Sequence, residues 1–278
     1  MSESQHALLR KYGIRPVKRR GQNFLVDGNL ARAIAQDTLA VSDRVLELGA
    51  GGGALTVHLL AGASRVVCVE VDRHLCNLLR TEFGAREEFE LIEADLAKLD
   101  WPAAVAAAGE RPVVAGNLPY VLTSKVLFAL SDLRDLTSGA VFMVQKEVAE
   151  RLVAEPGGRD YGILAVVLGS VFSIRILRSV ASSVFWPRPE VESAIIRLTP
   201  EQEWDQQDLD RFTAVVKTLF GQRRKKLRTQ LRGNFGLDSD EVNDIATLVG
   251  LDPDGRPEQT ERAVFQRLAL ELARRGKL

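Results

Sequence analysis

Five consecutive residues, Gly49-Ala50-Gly51-Gly52-Gly53, constrain this chain more than any other stretch. They follow Arg44-Val45-Leu46-Glu47-Leu48, an apolar run with strand character, and precede a helix expected over residues 54–60. Glycines let a ligand approach the main chain closely, and the helix start presents free N–H groups. Gly49, Gly51 and Ala54 have the dinucleotide-fingerprint spacing. Glu70 follows about 20 residues on, at the end of the next expected strand, placed to bind ribose hydroxyls. From these residues alone the loop suits NAD and S-adenosylmethionine equally well. Asp72, two residues past that strand end, is a weaker alternative to Glu70. Glu47, near the loop backbone, reads as structural.

The pattern continues with strands alternating with helices. Strands are expected at 44–48, 64–69, 89–93, 112–116 and 140–144, and helices at 29–39, 73–83, 124–130 and 147–153. That alternation implies a parallel sheet joined by crossovers. A Gly-rich loop at 155–161 precedes an expected helix over 162–172, and further strands are read at 172–180 and 191–198. Residues 200–208 are polar and linker-like, and helical patterning dominates from Leu209 onward. The domain boundary is therefore placed near Pro200, with a catalytic domain over residues 1–200 and a helical domain over 201–278.

The chemistry is sharpest at Asn117-Leu118-Pro119-Tyr120, which follows the run Pro112-Val113-Val114-Ala115-Gly116. These residues sit at the carboxyl end of a strand, where open α/β sheets bind ligands. An exocyclic base amine is a poor nucleophile because its lone pair is delocalised into the ring. Acceptors aimed at both N–H bonds favour a pyramidal nitrogen and free the lone pair. The Asn117 side-chain oxygen is one candidate acceptor and the Leu118 carbonyl the other. Pro119 fixes its own φ and holds residue 118 extended. Tyr120 offers a stacking face, worth about 1–3 kcal/mol per base. Phe185, beside the rigid Pro187-Arg188-Pro189, is read as the opposite stacking face. Asp95, just past the third strand, is placed to accept from an adenine amine. This row of polar groups favours the sulfonium cofactor over a nicotinamide, since a dehydrogenase has no use for Asn-Leu-Pro-Tyr.

Composition bounds the rest. The 278 residues are 46% hydrophobic and 27% charged, as expected for a folded soluble protein. No apolar run approaches the roughly 18 residues of a membrane span, and the first residues lack the apolar stretch of a signal peptide. Cys68 and Cys76 fit reduced thiols, so a cytoplasmic location is expected. His6, His58 and His74 are scattered, which suggests neither a metal site nor a Ser/His/Asp triad. The formal net charge is zero, yet cations crowd two places. One includes Arg15, Lys18, Arg19 and Arg20; the other runs through Arg223, Arg224, Lys225, Lys226 and Arg228 with no acid between them. Localised basic blocks on a neutral chain suggest a polyanion surface.

Several motifs in this order resemble the ribosomal RNA adenine N6-dimethyltransferases, in their bacterial small-subunit branch. They are Gly21-Gln22-Asn23-Phe24-Leu25, the glycine loop, Gly116 to Tyr120, and Gln145-Lys146-Glu147-Val148. Two more are Phe185-Trp186-Pro187-Arg188-Pro189-Glu190-Val191-Glu192-Ser193-Ala194 and Phe220-Gly221-Gln222-Arg223-Arg224-Lys225-Lys226-Leu227-Arg228. The resemblance implies a class I S-adenosylmethionine-dependent methyltransferase fold, Rossmann-like, with an antiparallel final hairpin and a small helical C-terminal domain. It implies cofactor contacts at Asn23, Leu25, Gly49, Glu70, Asp95 and Asn117, with Gly51 in the same loop. As substrate it implies two adjacent adenosines near the 3′ end of small-subunit rRNA, in a partly assembled subunit, met by a monomer. The chain departs in having Ala50 where proline is frequent and Val121 where asparagine commonly follows the tyrosine. Three other readings share features: a large-subunit methyltransferase of the macrolide-resistance type, a nicotinamide dehydrogenase, and a noncatalytic RNA-binding descendant.

Overall fold

A computed structural model describes residues 5–16, 22–201 and 204–278. Gly21 and the cations Lys18, Arg19 and Arg20 lie outside the described residues. Contacts divide the chain into two compact units, Met1–Ala149 with Ser173–Pro200, and Glu150–Phe172 with Glu201–Leu278.

The first unit is built on strands β1 (Phe24–Leu25), β2 (Arg44–Leu48), β3 (Arg65–Glu70), β4 (Phe89–Glu93), β5 (Val113–Asn117) and β6 (Gly139–Gln145). Strands β7 (Phe172–Val180), β8 (Phe185–Trp186) and β9 (Ser193–Pro200) follow. Seven form one sheet in the order β4-β3-β2-β5-β6-β9-β7. The first five are parallel, and β9 runs antiparallel to β6. Strands β1 and β8 pair separately and antiparallel, placing Leu25 opposite Phe185.

Helices α1 (Gln5–Lys11), α2 (Gly28–Leu39), α3 (Thr56–Leu59), α4 (Arg73–Phe83), α5 (Trp101–Ala108), α6 (Thr123–Asp132) and α7 (Lys146–Leu152) connect these strands. The central strands are almost wholly apolar because both faces are covered, the buried Glu47 of β2 being an exception. Val45, Val66, Val113 and Val141 join a core with Ala31, Ile34 and Leu59 of α2 and α3. The alternating residues Leu46, Val67, Val114 and Phe142 are equally buried, and α5 packs on β2 and β3. Side chains at helix starts specify several boundaries: Asp27 accepts from two N–H groups of α2 and Asp72 from one of α4. Helix α5 escapes the sequence reading. Pro102 sits in its first turn, where proline costs no hydrogen bond.

The second unit consists of α8 (Ile163–Leu168), α9 (Gln206–Gly221), α10 (Leu227–Phe235), α11 (Ser239–Val249) and α12 (Arg262–Arg274). Residues 150–172 therefore group with the C-terminal helices, whereas the sequence reading places a single boundary near Pro200. The reason is long-range packing. Tyr161 donates to the Thr260 carbonyl at 3.1 Å and meets Phe220 edge-on, and Trp204 donates to the Ser170 carbonyl at 3.0 Å. The helix expected over 162–172 is shorter than its apolar run, ending at Leu168 before Gly169.

No helix among the described residues is long and apolar enough to cross a membrane.

Candidate active site

The sheet order dictates where a ligand can sit. From β2 the chain moves outward to β3 and β4, then returns to β5 on the other side of β2. The connections leaving β2 and β5 diverge, and a crevice opens at this switch point. A cavity of about 470 Å³ lies there, within the first unit. The glycine loop, the ends of β3 to β5 and residues 22–25 line it.

Gly49 and Gly51 hold φ of 68° and 57°, the left-handed conformation that side chains disfavour. A Cβ at Gly49 would stand 3.9 Å from the Asn117 carbonyl oxygen, an ordinary contact, so it is the torsion that calls for glycine there. Gly116 is demanded by proximity, because a Cβ there would meet the Leu48 carbonyl oxygen at 2.4 Å.

Asn117 ends β5, and its Nδ2 donates to the Asn23 main-chain carbonyl at 3.0 Å. A carbonyl can only accept, so the amide orientation is fixed and Oδ1 keeps the acceptor role. Leu118 is buried and donates its N–H to the Met143 carbonyl at 3.1 Å, which holds this peptide against β6. Pro119 has φ −57°, and its carbonyl accepts from Leu122 N–H and Thr123 Oγ1. Tyr120 lines the cavity, its hydroxyl 3.2 Å from Ser193 Oγ. Ser193 lies in a sequence motif, but sequence reasoning gave it no role.

The two glutamates beside the glycine loop differ. Glu70 accepts from the N–H groups of Gly51, Val71 and Asp72 at 2.8–2.9 Å. Burial raises its carboxyl above the usual range, and these three N–H groups oppose the rise. Glu47 accepts from Thr56 Oγ1 at 2.7 Å and Cys68 Sγ at 3.2 Å. Complete burial pushes its carboxyl up to about 7, against those two hydrogen bonds. Asp95 Oδ1 accepts from Ala97 N–H at 2.8 Å, fixing the turn after β4. Lys125 of α6 donates to the carbonyl of the same Ala97.

The structure thus brings Asn23, Leu25, Gly49, Gly51, Glu70, Asp95 and Asn117 through Tyr120 to one cavity. It does not bring Phe185 there. Phe185 is 4% exposed and packs in the core with Leu25, its partner across the β1–β8 pair. The pairing turns the ring inward, so the stacking face expected of it is not formed in this structure. Gln5, which no sequence signal marks, also lines the cavity.

The second basic block spans the connection between α9 and α10 and the first turn of α10, in the second unit. It has no acid in sequence, but the fold supplies acids. Arg223 donates to the Arg159 carbonyl at 2.9 Å and lies 3.6 Å from Glu258. Lys226 and Arg228 share Asp254 at 3.3 and 3.2 Å. Arg224 and Lys225 are exposed, with no ion pair to another described residue. Among the described residues, no group of three or more His, Cys, Asp or Glu is placed to hold a metal ion.

Comparison with known proteins agrees with this geometry. A family model described as ribosomal RNA adenine dimethylase matches residues 16–267. The chain is 43% identical to ribosomal RNA small subunit methyltransferase A of Anaeromyxobacter sp. (strain K), over 97% of this chain and 98% of that one. It is 38% identical to the protein of the same name from Pseudomonas aeruginosa, over 94% and 96%. Among solved structures, the 23S rRNA methyltransferase ErmE superposes with a TM-score of 0.67 at 25% identity. That match covers 90% of this chain and all of ErmE. A dimethyladenosine transferase from Plasmodium falciparum shares the fold, with a TM-score of 0.71 at 24% identity, over 88% and 96%.

Proposed function

Because the chain belongs to the ribosomal RNA adenine dimethylase family, we propose that its strand-end cavity holds S-adenosylmethionine beside a flipped-out adenine. The reaction is transfer of methyl groups to N6 of two adjacent adenosines near the 3′ end of small-subunit rRNA. The chain acts as a monomer in the cytoplasm, on a partly assembled subunit.

The cavity suits that cofactor. Gly49 and Gly51 bring bare main chain to the cavity wall, and Glu70 ends β3 beside the loop. Glu70, Asp95, Gly49, Gly51, Asn23 and Leu25 would hold the cofactor, which supplies a methyl group on a sulfonium centre. One observation carries the reading: Asn117 is oriented by the Asn23 carbonyl, which reserves Oδ1 as an acceptor. Oδ1 takes one N–H of the adenine amine and the Leu118 carbonyl takes the other. The nitrogen becomes pyramidal and its lone pair is freed. Tyr120 stacks on the base, its ring steadied through Ser193. The methylated ammonium loses its proton to water, so no strong base is needed. Extruding the adenine costs a few kcal/mol, less for a loop base. Positioning of amine and methyl donor supplies most of the acceleration. Phe185 supports Leu25 from behind.

In the second unit, Arg224 and Lys225 bind phosphates, with Lys226, Arg228 and Arg223 held beside them by their acid partners.

The test is labelled-methyl transfer onto small-subunit and large-subunit particles from unmethylated strains, offered together, followed by mapping of the modified bases. Two adjacent dimethyladenosines near the 3′ end are expected. Label confined to large-subunit RNA would replace this reading with the macrolide-resistance type.

A further inference from the structure

Four glycines occupy the loop after β2, and three are explained by their backbone. Gly49, Gly51 and Gly53 all hold φ between 57° and 79°. Gly52 does not share this conformation, so torsion does not require glycine there. Residue 52 instead lies in contact with α1. A Cβ there would stand 2.4 Å from Gln5 Nε2 and 2.7 Å from Leu9 Cδ2, the ends of two flexible side chains that would have to turn aside. Both side chains belong to α1. Gly52 therefore marks where α1 meets the loop.

Gln5 Nε2 donates to the Gly52 carbonyl at 2.7 Å, and Gln5 lines the cavity beside Gly49 and Gly51. Helix α1 is anchored independently of this bond. Leu9 is fully buried in a cluster with Ile14, Phe24, Leu75 and Leu78. The Tyr12 hydroxyl donates to Glu82 at 2.6 Å, and His6 meets Trp186 edge-on with ring centroids 4.7 Å apart. One short apolar cluster thus joins α1, α4 and β1. From it, two polar contacts reach the cavity: the Asn23 carbonyl holds Asn117, and Gln5 holds Gly52.

We propose that α1 is a strap over the cofactor loop and that Gln5 is a positioning residue for cofactor binding. By fixing the Gly52 carbonyl, Gln5 holds the Gly52–Gly53 peptide plane, whose N–H donates to the Ala50 carbonyl at 3.0 Å, and so steadies the turn from which Gly51 N–H holds the Glu70 carboxylate at 2.9 Å. Without it the loop keeps its glycines but loses the contact that selects one arrangement, and ordering the loop then weakens binding. The inference rests on the reading that this cavity binds S-adenosylmethionine.

The test compares wild type with Gln5→Leu, Gln5→Glu and Gln5→Lys by calorimetric titration of S-adenosylmethionine. Melting temperatures without cofactor and kcat at saturating cofactor accompany it. Leu removes the donor, Glu turns an acceptor toward a carbonyl, and Lys restores a donor of similar reach. Loss of one hydrogen bond predicts a cofactor Kd raised about fivefold to tenfold in Leu, and at least that in Glu. Gln5→Lys should lie near wild type, with melting temperatures and kcat unchanged in all three. An unaltered Kd in Gln5→Leu, failure of Lys to rescue, or a Kd change that follows a fall in melting temperature would overturn the inference. Wild type that binds no S-adenosylmethionine would overturn the cofactor reading, and this inference with it; wild type that binds while Gln5→Leu binds equally overturns this inference alone.

Discussion

The strand-end cavity and the basic connection between α9 and α10 place polar groups by different means. In the cavity, Glu70, Asp95 and Asn117 are each tied to main-chain atoms within 3.0 Å, and those atoms belong to strands and turns fixed by a buried sheet. In the connection, Arg223, Lys226 and Arg228 meet side-chain acids across 3.2–3.6 Å at the surface. Exposed pairs of that kind contribute about 0–1 kcal/mol each. The cavity is a preorganised geometry that one atom can spoil, whereas the connection is a pool of charge that changes by increments.

The largest expected effect tests the geometric side. Asn117→Ala removes the oriented acceptor while leaving the sheet and glycine loop in place. Loss of a preorganised hydrogen-bond partner of the reacting group typically costs about 10²–10³ in turnover. Single-turnover labelled-methyl transfer should fall by that factor, while S-adenosylmethionine affinity by equilibrium dialysis changes much less. Turnover near wild type would remove Asn117 from the chemistry and leave the cavity with no distinguishing feature over a binding pocket.

A smaller effect concerns what lies beneath the loop. Glu47 is held protonated by burial up to about pH 7, against an ordinary value of 4.5. The unfolded chain releases this proton near pH 4.5 and the folded protein only near 7, so between those values the folded state binds more protons. Stability from this group is therefore full below about 4.5, declines as pH rises toward 7, and is level above it. The total is on the order of 3 kcal/mol. Glu47→Gln keeps an acceptor for Thr56 and Cys68 but cannot ionise. Calorimetry should show the variant gaining on wild type as pH rises from about 4.5 to about 7, with a constant difference above that and the two alike near pH 4. Parallel curves would mean that Glu47 is ionised in the fold and that solvent reaches the floor of the cavity.

What could be read in the sequence follows the same division. The class I α/β fold was legible because β3, β5 and β6 carry apolar runs closed by a polar residue, and helix caps such as Asp27 and Asp72 lie next to the chain they cap. The glycine loop and Asn117 to Tyr120 were legible as strand-end motifs, since their contacts depend on backbone that the motif itself shapes. Long-range partners left no such trace. Nothing near Arg228 announces Asp254, and nothing near residue 162 announces the C-terminal helices that α8 joins. Phe185 stood out as an aromatic beside a rigid proline segment, but pairing of β8 with β1 decided which way its ring turned. Gln5 is one of several polar residues on a short helix, and its contact is visible only once Gly52 is seen beneath it.

The smallest effect sharpens the charged side of the comparison. If the connection binds phosphates by charge, its free cations should carry the salt dependence and its paired ones should not. Arg224 and Lys225 are exposed with no ion pair to another described residue, while Arg223 is engaged by the Arg159 carbonyl and Glu258. Each phosphate contact released lowers the slope of log affinity against log salt by about 0.7–0.9. The double variant Arg224→Ala/Lys225→Ala should flatten the slope for an rRNA fragment by about 1–2, as read by filter binding across a salt series. Arg223→Ala should change the slope by less than half as much, because its guanidinium would first have to leave its own partners. Equal slopes for the double variant and wild type would make this connection a solvated face and move RNA recognition elsewhere on the protein. A larger change from Arg223 alone would mean that its ion pair opens to RNA and that acids near a basic run do not exclude it from binding.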